Sequence, residues 1–376
     1  MKKIGTMLAL LLALSMLLTA CESNISKGND AESSASPAAA MVKTGLATVN
    51  TMAVSKDALT EKTVAAAVTV GGDGKIAACK LDEIETDTKL SDGKIVREAD
   101  RRSHYARGDE DGLEPSAPLT KAWYKQVDAL CDYVVGKTAA EVANIPVENG
   151  VATDEMLRSR CELNITPYLE AIKKACDMAT DRGAKAGDTL SLSLTASDAT
   201  GGSDTLVQTA VQVAAVTMDS RSVATDCLVD VVDRKVNVTD GAFDGESGTF
   251  ASKKDQKTGL DDTSDTEKDG EWVACANAFE EYVVGKTAKQ VKVTPLTDGK
   301  PSADTELAKK CTIRVTEMMD NVLKAMDETI GSSTVENTEK TASGGFLEDV
   351  ESAADDIVSR VEDAVSRVGE ELTESR

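Results

Sequence analysis

Tyr133-Val134-Val135-Gly136-Lys137-Thr138-Ala139 returns letter for letter as Tyr282-Val283-Val284-Gly285-Lys286-Thr287-Ala288. A Trp stands about ten residues before each copy, at Trp123 and Trp272, and a Cys follows about twenty-five residues later, at Cys161 and Cys311. Trp123, Val127, Leu130 and Val134 are spaced i, i+4, i+7 and i+11, so they share one helical face. Gly136 supplies the stop, because glycine takes the left-handed conformation that ends helices. Thr138 and Glu141 then have the spacing of a capping box, and Thr287 and Gln290 keep it. The repeated stretch is therefore a helix end followed by a helix start.

Gly-Lys-Thr also ends the phosphate-binding loops of nucleotide hydrolases. Those loops need a second glycine five positions earlier, where this chain has Cys131 and Glu280, so the phosphate-loop reading is rejected. Lys137 and Lys286 are read as cations at helix C-termini, favourable by about 0.3–1 kcal/mol each.

Around this register the chain reads as an α+β protein of two tandem repeats, residues 42–182 and 188–330, each a small antiparallel sheet packed with helices. In the first repeat, 46–54 and 63–70 are rich in Ala, Val and Thr. Gly71-Gly72-Asp73-Gly74 turns the second of these runs into 76–84, and Asp92-Gly93 marks a further turn. Residues 97–118 carry charge, Gly and Pro without pattern and read as an exposed excursion; His104, the single histidine, is expected to be solvated there. Cys161, Leu163 and Ile165 alternate with polar residues and suggest a half-buried strand. Thr166-Pro167 then opens a helix. In the second repeat Leu190, Leu192 and Leu194 alternate, and 205–218 corresponds to the first repeat's 63–70 strand. Residues 235–270 read as a long polar loop or hairpin. Cys311, Ile313 and Val315 repeat the final strand, and a helix opens at Thr316.

The N-terminus points outside the cytoplasm. Lys2 and Lys3 precede an apolar run from Met7 to Leu18, the length of a secretory core and short for a spanning helix. Leu18-Thr19-Ala20-Cys21 resembles the bacterial lipobox, which implies cleavage after a signal peptide of residues 1–20 and lipidation of Cys21. Acyl chains worth about 0.8 kcal/mol per buried methylene would hold the product at the outer face of the cytoplasmic membrane. Residues 21–41 read as a flexible tether.

Composition limits the partners. The chain has 376 residues, a formal charge of -23 and 3% aromatic residues, with no basic cluster, so nucleic acid is excluded as a ligand. One histidine cannot build a Ser/His/Asp set, and no metal cluster is visible, which ranks hydrolytic enzymes last. Residues 332–376 hold twelve Asp/Glu against four Lys/Arg. Within them 345–372 reads as an amphipathic helix with a seam of small apolar residues, open either to a partner protein or to solvent.

The register also selects cysteines. Cys79 with Cys161, and Cys227 with Cys311, hold matching sites in an exported chain. Two disulfides worth about 2–4 kcal/mol each, or four buried thiols, are the two readings.

The strand turning at Gly72-Asp73-Gly74-Lys75-Ile76, the Trp-led helix, Gly-Lys-Thr, and a final strand entering a helix together resemble the FMN-binding domain family. The family includes flavin subunits of ion-pumping quinone reductases and surface electron-transfer lipoproteins. It carries Ser-Gly-Ala-Thr on that strand, whose Thr takes FMN through a phosphoester. Here the second repeat has Lys309-Lys310-Cys311-Thr312 and the first has Ser159-Arg160-Cys161-Glu162. The resemblance implies FMN on Thr312, with Lys309 and Lys310 neutralising the phosphate, and none on the first repeat. The functions in view are flavin-based surface electron transfer and, as the alternative, a cofactor-free solute-binding or scaffold lipoprotein.

Overall fold

A computed structural model describes residues 40–97, 100–111, 119–198, 205–256 and 266–327. The expected signal peptide, Cys21, nearly all of the expected 21–41 tether and the acidic 332–376 segment lie outside the described residues. The first half runs β1 (Lys43–Val54), β2 (Ala58–Val70), β3 (Ile76–Ser91), β4 (Lys94–Arg97), α1 (His104–Arg107), α2 (Trp123–Val134), α3 (Ala139–Ala143), β5 (Val147–Glu148), β6 (Val151–Ala152), α4 (Glu155–Arg158) and α5 (Thr166–Met178). The second runs β7 (Thr189–Asp198), β8 (Leu206–Met218), β9 (Ala224–Thr239), β10 (Ala242–Asp244), β11 (Gly248–Phe250), α6 (Thr266–Val283), α7 (Ala288–Lys292), β12 (Leu296–Thr297), β13 (Lys300–Pro301) and α8 (Thr316–Met326). The protein is α+β, with antiparallel sheets.

The repeated stretch does what its letters require, and more. Gly136 and Gly285 both stand at φ +81°. Both capping boxes form, Thr138 with Glu141 and Thr287 with Gln290. The backbone of the same stretch also clamps a strand. The Gly136 amide donates to the Ile76 carbonyl at 2.8 Å and the Ile76 amide donates to the Lys137 carbonyl at 2.9 Å. Gly285, Ala224 and Lys286 repeat the pair at 2.8 and 2.9 Å. Lys137 lies over the Tyr133 ring at 4.1 Å and Lys286 over Tyr282 at 3.9 Å, cation–π contacts that explain why Tyr and Lys recur together. The turns feeding those strands match in shape although Gly74, at φ +77°, is replaced by Ser222 at φ +56°.

The two large sheets have the orders β11-β1-β2-β3-β4 and β10-β9-β8-β7. They pack face to face. Leu46, Ala65, Ala67 and Ile84 of the first meet Leu190, Leu194, Val211, Val213, Ala215 and Val232 of the second. On the outer face of the first sheet, Val64, Ala66 and Val68 pack under α2, α3 and α5. On that of the second, Ala214, Val216 and Met218 pack under α6, α7 and α8. The result is four layers: helices, sheet, sheet, helices. With both faces covered, β2 is buried without interruption from Thr63 to Val70, and β8 from Val213 to Met218. At about 25 cal/mol per Å² of buried apolar surface, all three interfaces between the layers stabilise the fold.

The two strands expected at 161–165 and 311–315 are corrected. Residues 161–165 and 311–315 form no strand; they run as irregular chain, with Cys161, Ile165, Cys311 and Val315 buried. Alternation there reflects alternate contacts with the core, without a ladder. The 235–270 stretch takes the hairpin alternative at its start, where β10 pairs antiparallel with the end of β9, and it also supplies β11 and the start of α6. β11 crosses to the other half and pairs with β1, Asn50 opposite Phe250 and Met52 opposite Gly248.

Candidate functional site

Thr312, Lys309 and Lys310 lie on the surface at the entrance to α8. The Thr312 hydroxyl donates to Glu271 on α6. Lys309 Nζ pairs with Glu306 at 2.5 Å and Lys310 Nζ with Glu281 at 2.9 Å. In the first half the donor and acceptor change sides: Glu162 accepts from the Thr120 amide at 2.5 Å and from its hydroxyl at 2.8 Å, just before α2. Each arrangement ties the 161–162 or 311–312 segment to the Trp-bearing helix, just before α2 in one half and within α6 in the other. Three carboxylates surround Thr312, Lys309 and Lys310, so a flavin phosphate would meet negative charge, and none of the three lines the cleft or the smaller cavities described below. The residues present do not fit a phosphoester-linked FMN.

The cysteines pair otherwise than expected. Cys311 is bonded to Cys275 on α6, while Cys79, Cys161 and Cys227 are buried free thiols. Cys275 stands where the first half has Gln126, whose side chain accepts from the Glu162 amide at 2.8 Å. A covalent bond in one half and a hydrogen bond in the other make the same join. Register alone could not find it, because only one member of the pair is a cysteine in both halves.

His104 is not solvated. Its Nδ1 lies 2.7 Å from Asp111, its Nε2 lies 3.6 Å from Glu83, and its ring packs against Trp123 at 5.2 Å. Glu83 is buried; it accepts from the Tyr168 hydroxyl at 2.5 Å and pairs with Lys62 Nζ at 2.6 Å. Burial lowers the proton affinity of His104, but its hydrogen bond to Asp111 and the charge of Glu83 outweigh this and raise its pKa. These contacts let the cluster act as a fastening. It fastens residues 100–111, a strap over β3. Asp82 anchors the same strap through the Tyr105 amide at 3.1 Å, and burial pushes its carboxyl up to about 6. Asp230 holds Lys254 in the same way in the other half, and its carboxyl too is pushed up to about 6 by burial.

The strap forms one wall of the largest cavity described, a cleft of about 810 Å³ between the two halves. Leu81 of β3, Tyr105 and Ala106 of the strap, and Leu190, Leu192 and Leu194 of β7 give it mostly apolar walls. Lys80, Arg101, Arg102 and Lys324 contribute cations; Asp82, Asp100 and Asp327 contribute carboxylates. Arg102 forks onto Asp100 and holds its carboxyl down at about 2. Nothing in the sequence marked this place beyond the alternation of leucines on β7, because its walls come from four separate segments, around 80, 100, 190 and 325. Two further cavities are smaller, at about 120 and 10 Å³.

Comparison of the chain with protein-family models, with curated proteins and with solved structures finds no match. Among the described residues no group of three or more His, Cys, Asp or Glu could hold a metal ion, and no helix is long and apolar enough to cross a membrane.

Proposed function

We propose that the chain is an exported binding protein, anchored through a lipid on Cys21 to the outer face of the bacterial cytoplasmic membrane, that receives its ligand in the cleft between the 100–111 strap and β7. The anchor is supported by the lipobox-like Leu18 to Cys21. The binding reading is carried by the cleft itself: about 810 Å³ with mostly apolar walls and a few charged groups is the size and chemistry of a ligand pocket. The common order of elements in the two halves supports descent from one duplicated unit, and the cleft lies where the halves meet. Flavin-based electron transfer draws its support from the resemblance alone, and the carboxylates around Thr312 weigh against it.

Native mass spectrometry of the full chain isolated from a bacterial envelope tests the reading. Ligand-bound species are expected, and Ala106→Trp, which fills the cleft from an exposed position on the strap, is expected to remove them. Ligand retained by the filled variant would contradict the site. A covalent mass increment of FMN with visible absorption, lost on Thr312→Ala, would restore the flavin reading.

A further inference from the structure

The ligand class follows from the backbone of β7. On β9, the Val229 amide donates to Glu280 at 2.8 Å, and the Val231 carbonyl accepts from the Lys253 amide at 2.9 Å. Both residues therefore face away from β8. Their partners on β8, Ala214 and Gln212, must turn their polar groups toward β7, where they meet Ser193 and Thr195. Leu192, Leu194 and Ala196 alternate with these and direct their N–H and C=O groups to the open edge. Among the described residues, none supplies a backbone partner to them.

The matching edge on the other sheet is covered along most of its length. Val42 and Thr44 donate to Ala184 and Thr180 at 3.0 Å, Lys174 reaches the Thr48 carbonyl at 3.0 Å, and β11 pairs with Asn50, Thr51 and Met52. β1 and β7 hold the same place in their halves, each the first strand and paired with the second, but β11 adds beyond β1 whereas β7 ends its sheet. The chain thus shows, on one edge, strand addition by a short segment whose Phe250 drops between the sheets. On the other edge it leaves a cleft.

We propose that the cleft takes an extended polypeptide segment of a partner protein, which adds to β7 as an antiparallel or parallel strand along residues 192–196. This deepens the binding reading above and rests on it. Five residues at about 3.3 Å each give an open edge of roughly 17 Å. A row of alternating donors and acceptors at that spacing matches a polypeptide, and only side chains at every second position meet the apolar wall of Leu81, Leu190 and Tyr105. In the cleft Lys80, Arg101, Arg102 and Lys324 outnumber Asp82, Asp100 and Asp327, a balance that favours acidic flanks in a chain that is otherwise strongly negative.

The probe is a fluorescein-labelled peptide of alternating Val and Thr with a central Phe and a Glu at each end, titrated into the full chain and read by anisotropy. Saturable binding is expected, weakened at least tenfold when alternate amides of the peptide are N-methylated. Leu192→Pro should weaken it as much, since that N–H faces the open edge and not β8. If this variant misfolds, the methylated peptide alone decides. Equal binding of methylated and unmethylated peptides would overturn strand addition while leaving the cleft as a side-chain-reading site. No binding by either peptide would overturn strand addition, and the native mass measurement on Ala106→Trp would still judge the cleft. A free chain that is dimeric and is dispersed by the peptide would make a second copy the occupant, and also overturns the assignment.

Discussion

Thr209 donates its hydroxyl to Glu61 at 2.7 Å across the interface between the two sheets, and both residues are buried. Each is the fourth residue of its strand, β8 and β2 respectively. The halves therefore meet through corresponding positions, and this contact is a buried polar link beside the cluster of Leu, Ala, Val, Ile and Phe250 between the sheets. Thr209→Val keeps the shape and removes the donor. It is expected to cost about 1–2 kcal/mol in urea unfolding, the cost of leaving a buried acceptor short of a partner. A change below a few tenths would show that Glu61 is satisfied without it.

The glycines of the repeated stretch offer an internal control. A Cβ on Gly136 or Gly285 meets nothing within 4 Å, so Gly→Ala at either position pays only for φ +81°, about 1–2 kcal/mol and nearly equal in the two halves. Gly45 has an ordinary φ but lies under α5, and a Cβ there would sit 1.9 Å from the Ala175 carbonyl oxygen. Gly45→Ala should cost about 3 kcal/mol by forcing α5 off β1. Thermal melts of the three variants check the order.

Reduction should act on one half. Cys275 and Cys311 are 36 residues apart, a loop whose closure stabilises by about 4 kcal/mol in the chain-entropy picture. Reductant is expected to lower the melting of β7–α8 contacts first. Labelling of the unreduced, denatured chain should reach Cys79, Cys131, Cys161, Cys176 and Cys227 and spare Cys275 and Cys311. Modification of Cys311 under those conditions would break the assignment.

Stability should fall as pH rises from about 4 toward neutrality. Asp82 and Asp230 bind protons more tightly folded than unfolded, their carboxyls standing at about 6 against a usual value near 4. The folded state therefore holds more protons in that window, and ionisation through it costs stability. His104 adds the same sign at higher pH: its raised pKa contributes stability present below its unfolded pKa of about 6.5 and lost as pH passes the folded value. Urea midpoints between pH 4 and 8 should decline, and Asp82→Asn with Asp230→Asn should flatten the lower part of the curve. A rise in midpoint across pH 4–6 would contradict the burial of these carboxylates.

Much of this was legible in the chain. Gly136 and Thr138 announce a helix stop and start through local chemistry alone, and Leu190, Leu192 and Leu194 announce β7. The run from Val64 to Val68 marks a strand, yet it does not say that helices cover one face and a second sheet the other. β11 has only Gly248, Thr249 and Phe250, too short to show a period. His104 looked alone because Glu83 lies 21 residues before it, on another strand, and Asp111 beyond the turn. The contrast between Thr312 and Glu162 looked like a difference in chemistry. In the fold it is one tether with donor and acceptor exchanged.

The central claim is that the open edge of β7 is where a ligand enters. Residue-resolved hydrogen exchange of the full chain, with and without the Phe-centred peptide, tests it most directly. In the free chain the amides of Leu192 and Leu194 should exchange much faster than those of Ser193 and Thr195. With peptide they should slow at least tenfold, while the amides of β1 stay unchanged. Slow exchange at Leu192 and Leu194 in the free chain, or peptide protection confined to any other strand, would contradict the account.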